Sequence, residues 1–558
     1  MRFAWSAALG AACLLAGVGL ARAAEPDGQA APPRDAAPVS AAIDRELNKR
    51  LAQEKILASP AASDAEFVRR VYVDITGRIP TAEQAAAFLD SKDPDKRRKL
   101  IDELLASPHY GTHFGIIWSD LIVKRDDANR VLDTASFKKW LATSFNENRG
   151  WDKIVRDLLT SSGTLEENPA AMFFVANRDM NTLVPSRVVG ATANLFMGLQ
   201  LQCAECHNHA FIRDWKQADF WGLAAFFNQT RAAGGRMGQQ NTPISISEGA
   251  AANVARKPGA GFGRPSLPGA QIEIPDPVDP RRRTGKIVKA KFFLEEEPPL
   301  EAKGPFRPVL ADWLVSAENK YFAPAAVNRL WAHFFARGFV NPIDDMHDGN
   351  PPSHPELLKF LADEFRAAGF DQKHLIRAIC NSQAYQRSSK PLKENEQDTQ
   401  LFSRQAVKVM DPEVLYDSLC LALGTTELRT TAGGERPGFG GGFRGGNGGP
   451  RAAFVNFFST KEDGDDATEM SFGIPQFLRL MNSKPFNEGG AVIDKLTKDG
   501  ASPEQVIEGL YLTALARRPT EAEVKKLTAY IAKKQEPKDG YIGVLWVLVN
   551  SAEFVCVR

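Results

Sequence analysis

The signals that decide the fold lie together in the stretch Ser63-Asp-Ala-Glu-Phe-Val-Arg-Arg-Val-Tyr-Val-Asp-Ile-Thr-Gly-Arg-Ile-Pro-Thr-Ala-Glu-Gln84. Ser63 and Glu66 have the spacing of a capping box, in which a hydroxyl accepts the backbone N–H three residues on and the longer side chain bonds back. Thr81 and Gln84 repeat that spacing directly after a proline. The stretch therefore predicts two successive helices, one starting after Ser63 and one after Thr81.

The same unit returns near the end of the chain. Arg517-Arg-Pro-Thr520 follows Leu510-Tyr-Leu512 at the spacing at which Arg78-Ile-Pro-Thr81 follows Val71-Tyr-Val73. Glu523 completes a further capping box with Thr520. Because internal repeats indicate a reused structural unit, we predict a second helix-turn-helix of the same kind, with a structural role.

Composition limits the class of protein. The chain has 558 residues, of which 43% are apolar and 25% charged, as in soluble globular proteins with sizeable cores. Lys and Arg number 69 against 68 for Asp and Glu, so the formal net charge is +1. This balance argues against nucleic-acid binding through a generally basic surface. Six cysteines are too few for a disulfide scaffold.

The N-terminus has the features of an export signal. Arg2 precedes the apolar run Ala7–Leu20, and Ala21-Arg-Ala23 fits a small-x-small cleavage site. We therefore expect residues 1–24 to be a signal peptide and the protein to be exported to the periplasm, the cell surface or the medium. An uncleaved anchor is the alternative. No second apolar run of spanning length follows, so we expect no integral membrane span in the mature chain.

The remaining chain divides into helical blocks separated by segments of biased composition. Residues 25–39 are rich in Ala, Pro and Asp and predict a disordered tether. We predict a helical domain at 40–230, a Gly/Pro-rich, β-containing insertion at 231–305, and a second helical domain at 306–558 with a Gly-rich loop at 433–449. Strand patterns occur at Gln271–Ile274 and Lys286–Phe293. The expected fold class is mainly α, with a small β-containing insertion near 270–300.

One motif carries chemistry, Cys203-Ala-Glu-Cys206-His207. C-x-x-C-H is the signature of covalent c-type haem attachment. The two thiols add to the haem vinyl groups, and the adjacent histidine becomes the proximal ligand of the iron. Export supports this interpretation, because bacteria attach haem covalently outside the cytoplasm. We predict one haem c, held by Cys203, Cys206 and His207, in a protein of redox or electron transfer whose redox partner is unknown.

Three other roles fit the same residues. In the first, Cys203 and Cys206 form a disulfide or redox pair. In the second, they bind zinc together with His207 or His209. In the third, the segment is purely structural. Each of these describes a non-haem binding or scaffold protein of the cell surface, whose partner is a surface ligand.

The sequence offers no clear sixth ligand for a haem iron. Met237, in a Gly-rich loop, is the best methionine candidate, and His333 and His347 are other possibilities. Without such a ligand the iron is five-coordinate and open to small ligands or peroxide.

A second polar stretch is Asn341-Pro-Ile-Asp-Asp-Met-His-Asp-Gly-Asn-Pro-Pro-Ser-His-Pro-Glu-Leu-Leu358. Its group Asp344, Asp345, His347 and Asp348 fits either a metal cluster or an acid–base group, and a rigid polar loop is the alternative. Ser353 and Glu356 predict a capping box that opens the next helix. If the acid–base interpretation holds, the protein is an exported hydrolase acting on polysaccharide. No catalytic residue is identified by the sequence.

Several long stretches resemble a group of exported planctomycete proteins. Its members carry a cytochrome-associated domain of unknown function (PSCyt type), followed by a C-terminal companion domain of unknown function (PSD type). The first domain is suggested by Glu66–Pro80, Leu104–Gly111, Phe145–Arg149, Gln202–His209 and Asp219–Phe227. The second is suggested by Val327–Trp331, Pro351–Leu358, Asn381–Tyr385, Arg517–Thr520 and Asn550–Phe554.

The resemblance implies an association with cytochromes, and members of the group often carry C-x-x-C-H. It implies no activity. One departure is Ala210, where similar proteins often have proline, while Cys203, Cys206 and His207 are intact.

Overall fold

The computed structural model describes residues 34–124, 132–179, 182–234, 243–249, 267–428, 449–459, 474–482 and 487–558, apart from 277, 280, 281, 283 and 302. The chain is 56% helical, with 22 α-helices and a few small sheets in these residues. The predicted fold class, mainly α with small β elements, is therefore confirmed. The predicted signal peptide at 1–24, Met237 and nearly all of the Gly-rich loop 433–449 lie outside the described residues.

The first group of helices extends from residue 37 to residue 381. These helices are α1 Ala37–Glu54, α2 Asp64–Thr76, α3 Ala82–Asp90, α4 Lys96–Ala106, α5 Pro108–Ile122, α6 Ala135–Asn146, α7 Trp151–Thr160, α8 Met172–Ala176, α9 Pro185–Thr192, α10 Gln217–Ala225, α11 Arg307–Val315, α12 Phe322–Phe335, α13 Pro355–Ala367 and α14 Gln372–Asn381. They bury a common apolar core in which Trp151, Trp331 and Tyr385 are fully enclosed. Residues 306–402 therefore share one core with residues 36–293.

The fold-deciding stretch forms the predicted pair of helices. Ser63 Oγ accepts the backbone N–H of Glu66 at 3.2 Å and starts α2. The capping box of Thr81 and Gln84 is complete and starts α3. Gly77, with φ +66°, ends α2 in the left-handed conformation that an L side chain adopts at a cost. Both predicted helix starts are confirmed.

A second core is built from the C-terminal helices. They are α15 Pro412–Leu423, α16 Pro450–Phe458, α17 Ile474–Asn482, α18 Gly490–Leu496, α19 Pro503–Leu515, α20 Glu521–Ile531, α21 Pro537–Val549 and α22 Ala552–Val555. Val73 and Ile79, from the first helical pair, are buried in this core. α3 packs against α19, and Arg518 binds Asp90 at 3.0 Å. The two repeated helix-turn-helix units thus pack against each other.

The strands are short and antiparallel. They are β1 Gly163–Thr164, β2 Arg178–Asp179, β3 Thr182–Leu183, β4 Thr230–Ala233, β5 Ser245–Glu248, β6 Gln271–Glu273, β7 Ile287–Lys289, β8 Lys408–Val409 and β9 Cys556–Val557. They form a three-stranded sheet of order β1-β5-β4 and the pairs β2–β3, β6–β7 and β8–β9. In the β6–β7 pair, Ile272 lies opposite Val288. The predicted strand at 286–293 is shorter than expected.

Two local expectations are wrong. Ser353 and Glu356 form no capping box, because His354 is the N-cap of α13 and makes no side-chain capping bond. Ser353 instead donates its N–H to the Phe339 carbonyl at 2.8 Å. α1 begins at Ala37, so residues 37–39 are helical and do not belong to the predicted tether. No helix among the described residues is long and apolar enough to cross a membrane.

Candidate functional site

The C-x-x-C-H segment, residues 203–207, follows a helix that stops sharply. α9 continues through a π-helical turn, Ala193–Met197, which Gly198 ends with φ +66°. A short 3-10 turn, Leu201–Glu205, carries the first thiol. The apolar residues of this turn are buried, whereas Cys203 and Cys206 are exposed and free. The turn and the residue that follows it, Cys206, therefore present both thiols to the solvent.

α10 holds the backbone of the segment. Gln217 Nε2 donates to the carbonyl oxygens of Glu205 at 3.1 Å and Cys206 at 2.8 Å. Trp221 Nε1 donates to the Glu205 carbonyl at 2.9 Å. The backbone N–H of Gln217 donates to Asn208 Oδ1 at 3.0 Å. These bonds satisfy backbone groups that would otherwise lack partners, and they leave the thiols unengaged.

The His207 ring is held through its Nδ1 atom. Its imidazole is exposed, and Nδ1 lies 2.5 Å from the backbone carbonyl oxygen of Asn208. A carbonyl oxygen only accepts, so in the neutral imidazole Nδ1 carries the proton and Nε2 keeps its lone pair. Metal-binding histidines are oriented in this way, with the N–H on a carbonyl and the other nitrogen on the metal. His207 thus has the tautomer that a proximal iron ligand requires.

His209 has the opposite tautomer. Its Nδ1 accepts the backbone N–H groups of Ile212 at 3.0 Å and Phe211 at 3.3 Å, so the proton lies on Nε2. The ring packs edge-on against Trp215 with centroids 5.0 Å apart. Burial lowers the pKa of His209, and the neighbouring His347 and His207 lower it further. Metal ligation through Nε2 would cost both backbone bonds, so the arrangement does not favour His209 as a zinc ligand.

The second polar stretch lies directly against the first motif. Asp344 Oδ1 accepts from Gln200 Nε2 at 2.8 Å, and Asp344 Oδ2 accepts from Asn194 Nδ2. The backbone N–H of Met346 donates to the Gly198 carbonyl at 2.9 Å. The sequence predicted both stretches separately, and the structure brings them together.

His347 is held in one orientation. Its Nδ1 accepts the backbone N–H of Gly349 at 3.0 Å, which leaves the proton on Nε2, 3.5 Å from Asp345 Oδ1. Asn350 Nδ2 donates to the Asp345 carbonyl at 3.0 Å. The His347 ring lies edge-on to Trp215, with centroids 6.1 Å apart. In this tautomer His347 donates from Nε2 and has no lone pair there for iron.

The other predicted ligands lie elsewhere. His333 is partly buried in α12, where its Nε2 lies 2.8 Å from the Asp74 carbonyl and its ring packs on His113. Asp348 is exposed. Within the described ranges, no group of three or more His, Cys, Asp or Glu side chains is placed to hold a metal ion.

Sequence reasoning missed the amides that bind the Asp344 carboxylate. Asn194 and Gln200 are the amide side chains in the mainly apolar run from residue 188 to 201. A polar residue in such a run predicts a specific partner, because a buried amide without one costs free energy. That signal was available, but it does not identify the partner.

Two regions of the chain match known protein families. Residues 42–232 match the PSCyt2 family, described as "Protein of unknown function (DUF1549)". Residues 306–438 match the PSD1 family, described as "Protein of unknown function (DUF1553)". The chain therefore contains one region similar to each of these two families. The expected order of the two domains is confirmed, and no curated protein and no solved structure matches the chain.

The candidate site combines both domains. The C-x-x-C-H segment and Trp215 belong to the PSCyt2 domain, whereas Asp344, Asp345 and His347 belong to the PSD1 domain. The two family regions therefore meet at the residues that the sequence selects as candidates for cofactor binding or acid–base chemistry.

Proposed function

We propose that this protein binds one haem covalently and acts in redox or electron transfer. The observation that carries the proposal is the contact of the exposed His207 ring with the Asn208 carbonyl through Nδ1, because in the neutral imidazole this contact leaves the lone pair on Nε2. Cys203 and Cys206 are exposed on the same short segment, and neither forms a disulfide with a cysteine of the described residues.

Each residue has a defined task in this proposal. Cys203 and Cys206 would hold the haem through thioether bonds to its vinyl groups, and His207 would bind the iron. The Asn208 carbonyl fixes the imidazole, while Gln217 fixes the backbone that carries the second thiol. The haem, once bound, supplies a one-electron couple whose potential depends on the axial ligand, hydrogen bonds and burial. Attachment outside the cytoplasm agrees with the proposed export signal at residues 1–24.

The alternatives have less support. A Cys2His2 zinc site needs a lone pair at His209, whose Nδ1 is already an acceptor and whose Nε2 carries a proton.

A polysaccharide hydrolase needs two carboxyl groups facing a cleft. Asp344 uses both carboxylate oxygens on side-chain amides, and Asp345 pairs with His347. A disulfide between Cys203 and Cys206 remains the alternative to be tested.

The test is a reduced-minus-oxidised absorption spectrum of the full chain, exported by a host with c-type haem maturation. We expect sharp reduced bands that survive denaturation, at about one haem per chain. Cys203→Ala with Cys206→Ala should abolish them, whereas the matched variant Cys380→Ala should keep them, because that thiol is buried in α14. A folded, colourless wild-type protein would overturn the proposal, and metal analysis with a thiol count would then separate zinc from a disulfide.

A second prediction separates the roles of the two neighbouring histidines. His207→Ala should keep the covalent attachment but change the electronic spectrum of the iron, because the axial nitrogen is lost. His209→Ala should keep the wild-type spin state, because its Nε2 carries a proton. If His209→Ala changes the spin state and His207→Ala does not, the assignment of the axial ligand is wrong.

A further inference from the structure

The Asp344 loop, residues 344–350, contacts the chain immediately before the C-x-x-C-H segment. Asp344 is half-buried, and its two oxygens accept from the amides of Asn194 and Gln200. Hydrogen bonds to a charged acceptor are roughly twice as strong as neutral ones. One carboxylate of the PSD1 domain thus ties together two points on the segment that leads to the thiols.

The loop also lies on the turn that redirects the chain toward the motif. The Met346 N–H donates to the Gly198 carbonyl at 2.9 Å. A Cβ at Gly198 would come within 2.6 Å of Met346 Sδ and 3.3 Å of Ala325 Cβ. Glycine at this position therefore permits both the left-handed turn and the close approach of the loop.

The loop reaches the chain after the motif as well. His347, fixed by Asp345 and the Gly349 N–H, lies edge-on to Trp215 at 6.1 Å. Trp215 is buried, and its carbonyl accepts the His209 N–H at 2.9 Å. Contacts of one loop thus lie on both sides of the C-x-x-C-H segment.

We infer that the Asp344 loop of the PSD1 domain positions the C-x-x-C-H segment, with Asp344 as the principal positioning residue. The inference rests on the proposed function for its redox consequence, but not for its structural part. A loop that holds the segment from both sides sets the orientation of the thiols and of His207. The PSD1 domain thereby controls the environment of the haem attached to the PSCyt2 domain.

The test exchanges the charged and amide partners. In the full chain, Gln200→Glu places a second carboxylate against Asp344 and should break their contact. Adding Asp344→Asn to Gln200→Glu should restore it, because the new amide can donate to residue 200 and still accept from Asn194. Asp344→Ala removes the acceptor altogether. Asp348→Ala is the matched control, since Asp348 is exposed in the same loop and makes none of these bonds.

Two measurements test whether the C-x-x-C-H segment is still held in place in these variants. The first is hydrogen exchange of residues 199–217 in protein made without haem, where Gln200→Glu and Asp344→Ala should exchange about tenfold faster than wild type. The second is the reduction potential and the yield of covalent haem in the matured protein, which should change in the same two variants. Asp348→Ala and the double exchange should match wild type in both.

The outcomes separate the two proposals. Faster exchange without any haem in wild type would support the positioning role and overturn the proposed function. Bound haem with unchanged exchange and potential in Gln200→Glu and Asp344→Ala would overturn the positioning role alone. If Asp344→Ala does not fold, the single and double exchanges at residue 200 decide, and failure of the double exchange to rescue overturns the inference.

Discussion

At the residue scale, His354 shows how burial of an imidazole makes the free energy of unfolding depend on pH. Its ring packs against Phe339 and Phe402, and its Nε2 is buried without a hydrogen-bond partner in the described residues. Burial, assisted by Arg50, lowers the pKa of His354 from 6.5 to about 4. Between these values the unfolded chain binds a proton that the folded protein does not. Protonation of the unfolded chain therefore lowers the free energy of unfolding. The stability associated with the neutral His354 ring is complete above about pH 6.5 and is lost as the pH falls to about 4.

We predict that His354→Phe flattens the pH dependence of stability. An apolar ring fits between two phenylalanines and cannot be protonated, so a contribution on the order of 3 kcal/mol should no longer vary between about pH 6.5 and about pH 4. Urea unfolding across that range measures the slope. Ser353→Ala is the control, because it removes only the hydroxyl 3.0 Å from His354 Nδ1 and keeps the imidazole. An unchanged slope in His354→Phe would contradict the prediction.

At the element scale, α2 joins the two cores. Arg69 Nη1 donates to the Ala514 carbonyl at 2.8 Å, and Arg69 Nη2 donates to the Phe554 carbonyl at 2.6 Å. Burial lowers the pKa of Arg69 to about 10, so the guanidinium stays charged at neutral pH. Arg70, also buried, binds the carbonyls of Tyr385 and Arg558. One helix thus satisfies backbone groups in three distant segments.

We predict that Arg69→Met destabilises the protein by about 3 to 6 kcal/mol. The methionine keeps the apolar stem but leaves two buried carbonyls without their charged donor, at about 1.5–3 kcal/mol each. Arg45→Met in α1 is the control and should change stability by less than about 0.5 kcal/mol, because Arg45 is exposed and pairs with the adjacent Glu46. Equal unfolding midpoints in urea for the two variants would show that Arg69 is not a structural link.

Helix starts were predictable where the capping partners are local. Thr81 with Gln84 and Thr520 with Glu523 form complete capping boxes, as their spacing predicted. Ser63 caps α2, but the Glu66 carboxylate bonds Arg70 at 2.8 Å and the Ser389 N–H at 2.7 Å instead of closing the box. A distant partner competed with the local one, and spacing alone contains no information about that competition.

At the scale of the whole molecule, the spacing of the site residues likewise gives no information about their distant partners. The spacing of Cys203, Cys206 and His207 was enough to select them as candidates. Their setting was not predictable, because Asp344 lies 144 residues from the Gln200 amide that it binds. The polar stretch at 341–358 was recognised as unusual, but its sequence does not indicate which part of the chain it contacts.

The distribution of buried residues has a consequence for the independence of the PSCyt2 domain. Residues 306–402 contribute fully buried side chains such as Trp331 to the core of residues 36–293. Arg307 is also buried there, donating to the Ser161 carbonyl at 2.6 Å and to Glu248 at 2.9 Å. The PSCyt2 region is thus completed by residues outside its own boundary.

We therefore predict that a fragment of residues 36–305 does not fold cooperatively. It would expose the apolar surface that α11 to α14 cover, which in a soluble protein leads to loss of fixed packing or to aggregation. Near-ultraviolet circular dichroism and urea unfolding measure this, with the chain from residue 36 to 558 as the control. We expect little near-ultraviolet signal and a broad transition from the fragment. A monomeric fragment with a sharp transition would show that the PSCyt2 domain folds alone, and that the PSD1 domain only docks onto a finished core.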